Sequence, residues 1–403
     1  MKKILHINAT YASGSTGVIV EDIHRLCLSN GIISYVAYAS SLQDKEIING
    51  YKIGSILDHK LHSLLSRMHG KQGYFSSGAT RKFIKWIISI KPDIIHLHNL
   101  HSSFINLNML LDFIAKKNIT TVITLHDCWF YTGGCTHYTH IECYEWKNIC
   151  NQCPKSRKDF PAVFSYHSSQ ILEDRKKYFD NIPSLYVVGV SKWITDEARK
   201  SILKNKKSTT IYNGIDLNIF KYTFSELKKE LKIEDKYVIL GPASKWLQPE
   251  NALLYNKLVS KLDNNTVFIL LGCPPNICLP NKVIAYPFIT CKQELAKLYS
   301  IADVFVNCTH EESMSLINVE SQACGTPLIC YSNTGAKETV NTEFGRLIKT
   351  DDIEAMLHAI DEIKSQRMTE NKREKLTQWI AERFEKTTNY HKYIDLYNTF
   401  MKP

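Results

Sequence analysis

Short apolar runs alternate along the whole chain with stretches of helical period. In the first half the runs are "ILHINA", "SYVAYA", "DIIHLH", "TTVITLH" and "LYVVGVS"; in the second they are "YVILGPAS", "TVFILLG", "KVIAYPF", "DVFVNC" and "PLICY". Such runs between helical stretches predict βαβ units, hence parallel sheets with helices on both faces. The chain reads as α/β, with two doubly wound, Rossmann-like domains, and its 403 residues exceed what one core usually serves.

The domain boundary is expected between residues 205 and 222, where the basic "KNKKS" gives way to "TTIYNGIDLNIFKY" and Asn213-Gly214 signals a turn. Just beyond, "SELKKELKI" predicts a helix capped by Ser225; Lys228 stands where a capping box would need Glu or Gln. The expected division is 1–208, 209–385 and a last helix within 386–403.

Composition does not disturb this picture: 44% hydrophobic and 22% charged residues, with no repeat and no low-complexity tract, describe an ordinary globular protein. "MKKILHINATYASG" carries the lysines of a signal peptide, but His6 and Asn8 break its apolar run, which reads as a first strand. No run approaches the roughly 18 apolar residues of a membrane span. The expected location is the cytoplasm, with the twelve cysteines mostly reduced.

Charge changes the picture locally. The net charge is +10, and seven basic residues with no acid fall between Lys60 and Lys91. Leu61, Leu64, Leu65 and Met68 follow helical spacing there, as do Phe83, Trp86 and Ile87. Two readings stay open: basic amphipathic helices lying on an anionic membrane surface, or apolar stripes packed on the sheet.

Cys135, Cys143, Cys150 and Cys153 crowd into "CTHYTHIECYEWKNICNQC", spaced C-x7-C-x6-C-x2-C. Four thiols so placed suit a tetrahedral structural zinc, with disulfides and free thiols as alternatives; His137 and His140 are further candidate ligands. A nucleic-acid-binding finger does not fit a block inserted in a loop at the mouth of a crevice.

In open α/β sheets ligands bind beyond the carboxyl ends of the strands. The loop "YASGSTGVIVEDI" after the first strand offers Gly14 and Gly17 for close backbone approach and a helix start for an anion, or simply a tight turn. The loop after "DVFVNC" holds "EESMSLINVESQACGTP", with Glu312 in the loop and a helix expected from Ser315–Ile317 to Cys324. Glu320, on that helix, points toward the same crevice as Glu312, so each carboxylate could hold a hydroxyl-rich group beside a helix N-terminus. The plainer alternative is a capping Glu312 and a solvated Glu320.

"EESMSLINVESQACGTPLI" resembles the E-x7-E signature of retaining GT-B glycosyltransferases of family 4. "GSTG", "HLHN" at 96–99, "TLHD" at 124–127, "IYNGIDLNIF" and "NTGAKETV" at 333–340 follow in the family's order, and the cysteine block is similar to that of colanic-acid and O-antigen transferases. The resemblance implies two domains facing a central cleft: an N-terminal acceptor-side domain carrying the Cys-rich insertion 128–154, and a C-terminal nucleotide-sugar domain. It implies that Glu320 holds ribose hydroxyls, that Glu312 contacts the donor sugar, and that backbone N–H groups of Ser315, Leu316 and Ile317 lie near the diphosphate. His126 matches the histidine that contacts the donor sugar near its anomeric carbon; alone it reads equally as a core histidine beside Asp127. Retention of configuration, a UDP- or GDP-linked donor and no metal at the diphosphate are further implications.

One loop departs from the pattern. Relatives carry an arginine and, five residues on, a lysine that clamp the diphosphate; here "GPASKWLQPEN" puts Lys245 at the first position and Glu250 at the second. A carboxylate there repels a diphosphate by about 1 kcal/mol at contact in water and several-fold more in a dry cleft. The expectation is a retaining hexosyltransferase that extends a polyprenyl-diphosphate-linked glycan of a bacterial surface polysaccharide. It would be peripheral on the inner face of the cytoplasmic membrane, with the last helix crossing back to the first domain. A sugar-nucleotide epimerase of the same architecture, or an impaired partner subunit, are the alternatives.

Overall fold

The computed structural model describes residues 2–42, 47–151, 153–155 and 162–400. The expected Cys-rich insertion and last helix run past that description at residues 152 and 401. The chain divides into two compact units: one runs to Ile211 and takes back the chain from Tyr390, and the other is Tyr212–Asn389.

The first unit comprises β1 (Lys3–Tyr11), α1 (Gly14–Ser29), β2 (Ile33–Ser41), β3 (Gly50–Lys52), α2 (Ile56–His69), α3 (Ser77–Ile90), β4 (Ile94–Leu97), α4 (Leu107–Lys117), β5 (Thr120–Leu125), α5 (Ser168–Asp180), β6 (Leu185–Gly189), α6 (Lys192–Ala198) and β7 (Lys207–Thr210). Its sheet is parallel throughout, in the order β3-β2-β1-β4-β5-β6-β7. Central β4 is buried at every position, including the polar His96 within its otherwise apolar run.

The second unit holds α7 (Leu227–Glu230), β8 (Tyr237–Pro242), α8 (Ala243–Trp246), α9 (Ala252–Lys261), β9 (Thr266–Leu271), β10 (Val283–Tyr286), α10 (Lys292–Ile301), β11 (Val304–Asn307), α11 (Leu316–Ala323), β12 (Leu328–Tyr331), β13 (Arg346–Ile348), α12 (Ile353–Ser365) and α13 (Glu370–Phe384). Its parallel sheet runs β10-β9-β8-β11-β12-β13. A final helix, α14 (Lys386–Phe400), begins here, and its residues from Tyr390 belong to the first unit.

Each of the ten apolar runs forms a strand. Three more, β3, β7 and β13, lie at sheet edges and are only three or four residues long, too short for an apolar run to announce them. β7 takes up part of the stretch expected as linker. The helix expected from Ser225 instead starts at Leu227, with Glu226 flanking it, and the Ser225 hydroxyl caps nothing.

The two stripes of the basic segment part company. Phe83 and Ile87 of α3 are buried against the sheet. Helix α2 buries His62 and Ser66 and leaves Leu57, Leu61, Leu64 and Met68 exposed at 77%, 55%, 55% and 42%. Its outward face is the apolar one.

Candidate functional site

In the second unit the loops after β8, β11 and β12 converge through hydrogen bonds. The Glu312 N–H donates to Thr334 Oγ1 at 3.2 Å, and the Gly335 N–H donates to the Glu312 carbonyl at 3.1 Å. Asn333 Nδ2 donates to the His310 carbonyl at 2.8 Å. Thr334 holds φ at +43°, where a β-branched residue is a genuine outlier, so the strain sits at the residue that anchors Glu312.

Helix α11 is held by a buried polar network. Asn307, the last residue of β11, donates to Ser315 Oγ at 3.3 Å and to Asn318 Oδ1 at 2.8 Å; Asn318 donates to Thr339 Oγ1 at 3.0 Å. Gln322 Nε2 donates to the Thr339 carbonyl at 2.7 Å and Gln322 Oε1 accepts from the Asn341 N–H at 2.9 Å. Networks of this kind fix one arrangement of a helix, and here Asn307 Oδ1 is left without a partner among the described residues. The Ser315 hydroxyl gives no cap bond to α11, and the first turn carries no acid, so its N–H groups stay available to an anion.

Burial raises the carboxyl of Glu312 above its ordinary range, while the Lys245 ammonium and the Ser315 hydroxyl pull it back. Burial lifts Glu320 further, to about 7, against the pull of Lys292 and of the Tyr299 hydroxyl, which stands 3.4 Å from Glu320 Oε2. Each carboxylate thus has a lysine within electrostatic reach. Lys245 is held there by Trp246: Gly241 leaves room for the indole, whose Nε1–H donates to the Val306 carbonyl at 3.0 Å. Glu250 is exposed, while neighbouring Asn251 is buried and ties the Lys245 and Cys308 carbonyls together at 3.0 and 3.2 Å. A separate cleft lined by Lys221, Lys228, Asp303 and Arg373 opens at the amino ends of the strands, away from these loops.

In the first unit, Gly14 holds φ at +64° at the start of α1, and Ser13 gives that helix no side-chain cap. Gly17 has a packing reason as well: a Cβ there would lie 2.8 Å from Thr10 Oγ1. His126 follows β5 directly, with Nε2 3.1 Å from His98 Nδ1 and Nδ1 buried without a partner. Burial pushes its pKa down to about 4, His101 pushes the same way and Asp127 opposes, so near neutral pH the ring is uncharged. Asp127 is engaged elsewhere, accepting from His101 Nε2 at 3.0 Å and from the Trp129 N–H at 2.8 Å.

The twelve cysteines carry no disulfide. Burial raises the Cys135 and Cys150 thiols, and lesser contributions come from Cys150 and Cys153 on the first and from Cys143 and Cys153 on the second, so the four cysteines are linked in one electrostatic cluster. Beside them Arg175 is fully buried against Trp129, its Cζ 3.8 Å from the ring centre. It donates to the Thr132 carbonyl at 2.7 Å and to that of Trp129, while its Nε and Nη2 have no partner among the described residues.

The E-x7-E spacing led to Glu312, Glu320 and α11. It gave no hint of Lys292, Asn333, Thr334 or the Asn307–Asn318–Thr339 network, which only the fold brings together. His96 and His98 stand in the "HLHN" motif, and two histidines two residues apart on a strand share a face; that was the available signal.

This architecture is that of the GT-B glycosyltransferases. Comparison with known proteins matches residues 52–219 to the Glycosyltransferase Family 4 model and residues 217–383 to the model of glycosyl transferases group 1. The chain belongs to the GT-B glycosyltransferases of family-4 type. It is similar to the putative colanic acid biosynthesis glycosyl transferase WcaC of Escherichia coli strain K12, 22% identical over 87% of this chain and 88% of that one. Among solved structures it is similar to sucrose-phosphate synthase from Thermosynechococcus elongatus, with TM-score 0.70, 17% identity and 99% of both chains covered. It is also similar to Anabaena HepE in complex with UDP-glucose, with TM-score 0.65 and 15% identity over 99% of this chain and 100% of that one. No helix among the described residues is long and apolar enough to cross a membrane.

Proposed function

We propose that the chain is a retaining glycosyltransferase that moves a sugar from a UDP- or GDP-linked donor to a glycan of a bacterial surface polysaccharide, O-antigen, capsule or exopolysaccharide, carried on a polyprenyl diphosphate. The observation that carries the reading is Glu312: its backbone is pinned on both sides by a strained Thr334 and by Gly335, and its half-buried carboxylate lies within electrostatic reach of Lys245. In this reading Glu312 contacts the donor sugar and Glu320 the ribose hydroxyls. The N–H groups of Ser315, Leu316 and Ile317 with Lys245 neutralise the diphosphate as it leaves, without a metal. Exposed Glu250 has no need to face that charge. Gly14 and Gly17 open the anion-facing turn of the first unit, and His126 contacts the sugar near its anomeric carbon. A neutral imidazole suits that place, since it does not repel the positive charge that grows on the sugar.

The relation to WcaC, named for colanic acid biosynthesis, supports a surface polysaccharide acceptor. The outward Leu57, Leu61, Leu64 and Met68, with Lys60 and Arg67 on the same helix, support docking of α2 on the anionic inner face of the cytoplasmic membrane, where a lipid-linked acceptor is confined. Arg175 supports a structural zinc on Cys135, Cys143, Cys150 and Cys153: among the described residues this buried guanidinium has no ion pair, which is costly, and zinc-bound thiolates would supply negative charge beside it. Zinc that is absent from the purified chain would remove that assignment.

The test is nucleotide release by the purified protein across UDP-, GDP- and dTDP-sugars, with and without membrane lipid extract. Release of one nucleotide that needs the extract and fails in Glu312→Ala is the expected result. An isomerised sugar nucleotide without acceptor would name an epimerase instead. No turnover and no binding of any donor would leave a partner subunit.

A further inference from the structure

The same face of the first sheet carries a polar stack where parallel sheets are normally apolar. His6 on β1 is in register with His96 on β4, and His98 and His126 follow on the same side at the strand ends. His6, His96 and His98 are fully buried, and their donor atoms all lie within 4.8 Å of one another. That spacing would suit a metal ion. The hydrogen bonds argue otherwise: His96 uses Nδ1 on the Tyr397 hydroxyl at 2.6 Å and Nε2 on the Thr124 hydroxyl at 2.7 Å, so neither nitrogen is left to ligate.

The other rings form a line. Cys27 Sγ lies 4.0 Å from His6 Nε2, His6 Nδ1 lies 3.4 Å from His98 Nε2, and His98 Nδ1 lies 3.1 Å from His126 Nε2. A neutral imidazole has one donor nitrogen and one acceptor, so every ring in such a line has the same polarity. Burial pushes the Cys27 thiol up to about 12 and the His6 ring down to about 3, so the thiol keeps its proton and the rings stay uncharged. With its S–H directed at His6 Nε2 rather than at the Ser34 hydroxyl, which is also in its reach, the thiol sets the polarity of the line. His6 then donates from Nδ1, His98 donates from Nδ1, and His126 accepts on Nε2.

We propose that His98, backed by His6, is a positioning residue for His126: it occupies the Nε2 lone pair and fixes the ring as the Nδ1–H tautomer. The group offered at the end of the line is then an N–H donor, suited to an oxygen of a bound sugar. This rests on His126 being the residue that meets the donor, as proposed above. His98 does not touch substrate; it acts through the ring it holds.

The test compares His98→Asn with His98→Leu in the full chain. An asparagine amide can donate from the place of His98 Nδ1, whereas leucine fills the space without a donor. Nitrogen NMR of histidine-labelled protein should show His126, assigned by its loss in His126→Gln, protonated on Nδ1 in the wild type and in His98→Asn. In His98→Leu it should show exchange between both tautomers. The kcat of the leucine variant should fall by about ten- to a hundred-fold, the range for losing the partner that orients a functional histidine, with donor KM little changed and asparagine restoring most of it. A wild-type His126 protonated on Nε2, or a leucine variant with an unaltered spectrum, overturns the proposal. So does a bound metal that is lost from His98→Leu and kept in Cys150→Ser. Full activity in His126→Ala would sink the site reading and leave the tautomer result standing, so the two failures are told apart.

Discussion

The two sheets end in opposite chemistry. The first unit closes its carboxyl edge with imidazoles that burial keeps neutral, and the second with carboxylates that burial pushes toward protonation. Their partners differ too. His6, His96 and His98 are engaged at both ring nitrogens by protein groups, so they are complete as they stand. Glu312 and Glu320 have well-held backbones but few side-chain partners, a Ser315 hydroxyl for one and a long Tyr299 contact for the other. A buried group left short of hydrogen bonds is costly unless a ligand completes it. The imidazole end is thus satisfied by protein groups up to its last atom, His126 Nδ1, and the carboxylate end is not, among the described residues.

The largest effect should come from removing the end groups themselves. Glu312→Ala and His126→Ala should each abolish transfer, a loss on the order of a hundredfold or more, without unfolding the protein. Melting curves beside the release assay check this, and full activity in either variant would break the site assignment for its unit. The comparison sharpens if His126→Ala leaves donor binding intact while Glu312→Ala weakens it.

Much of this was legible in the chain. Buried parallel strands are apolar runs, so ten strands announce themselves, while β3, β7 and β13 lie at edges where polar residues such as those of "KSTT" are tolerated. Glu312 and Glu320 were legible because their spacing brackets one helix start. Thr334 was not, because its effect lies in a backbone angle that no residue type encodes, and Lys292 was not, because only the sheet order carries α10 beside α11. The histidines were visible one by one; their pairing depends on the register of β1 against β4.

Next in size is Glu320→Gln. Burial raises the folded pKa of Glu320 to about 7 from an ordinary 4.5, so the folded state holds this proton more tightly than the unfolded chain. Ionising it therefore costs stability: the cost is absent below 4.5, grows as pH rises, and is complete above about 7. A glutamine avoids it, so the variant should be more stable than the wild type above pH 7 by up to roughly 3 kcal/mol, and no more stable below 4.5. Thermal melts at both ends of that range read the difference. Donor binding should run the other way: the charged carboxylate is the better acceptor for ribose hydroxyls, so wild-type affinity falls as pH drops through about 7 and that dependence vanishes in the variant. Equal melting shifts at both ends would mean that Glu320 is solvated, and the contrast between the two sheet ends would lose one of its carboxylates.

The smallest effect tests whether the carboxylate end is held by strain. Thr334→Gly relieves the positive φ, a gain of about 1 kcal/mol, and removes the hydroxyl that accepts the Glu312 N–H, a loss of similar size. The melting temperature should hardly move. Transfer should nonetheless fall several-fold, because Glu312 keeps its Gly335 anchor and loses the other, and a carboxylate free to shift spends less time where the sugar needs it. Thr334→Ser keeps the hydroxyl and should behave as wild type. If glycine matches wild type in rate as well as in stability, the strained residue positions nothing, and Glu312 owes its place to the β11 loop and its Gly335 anchor.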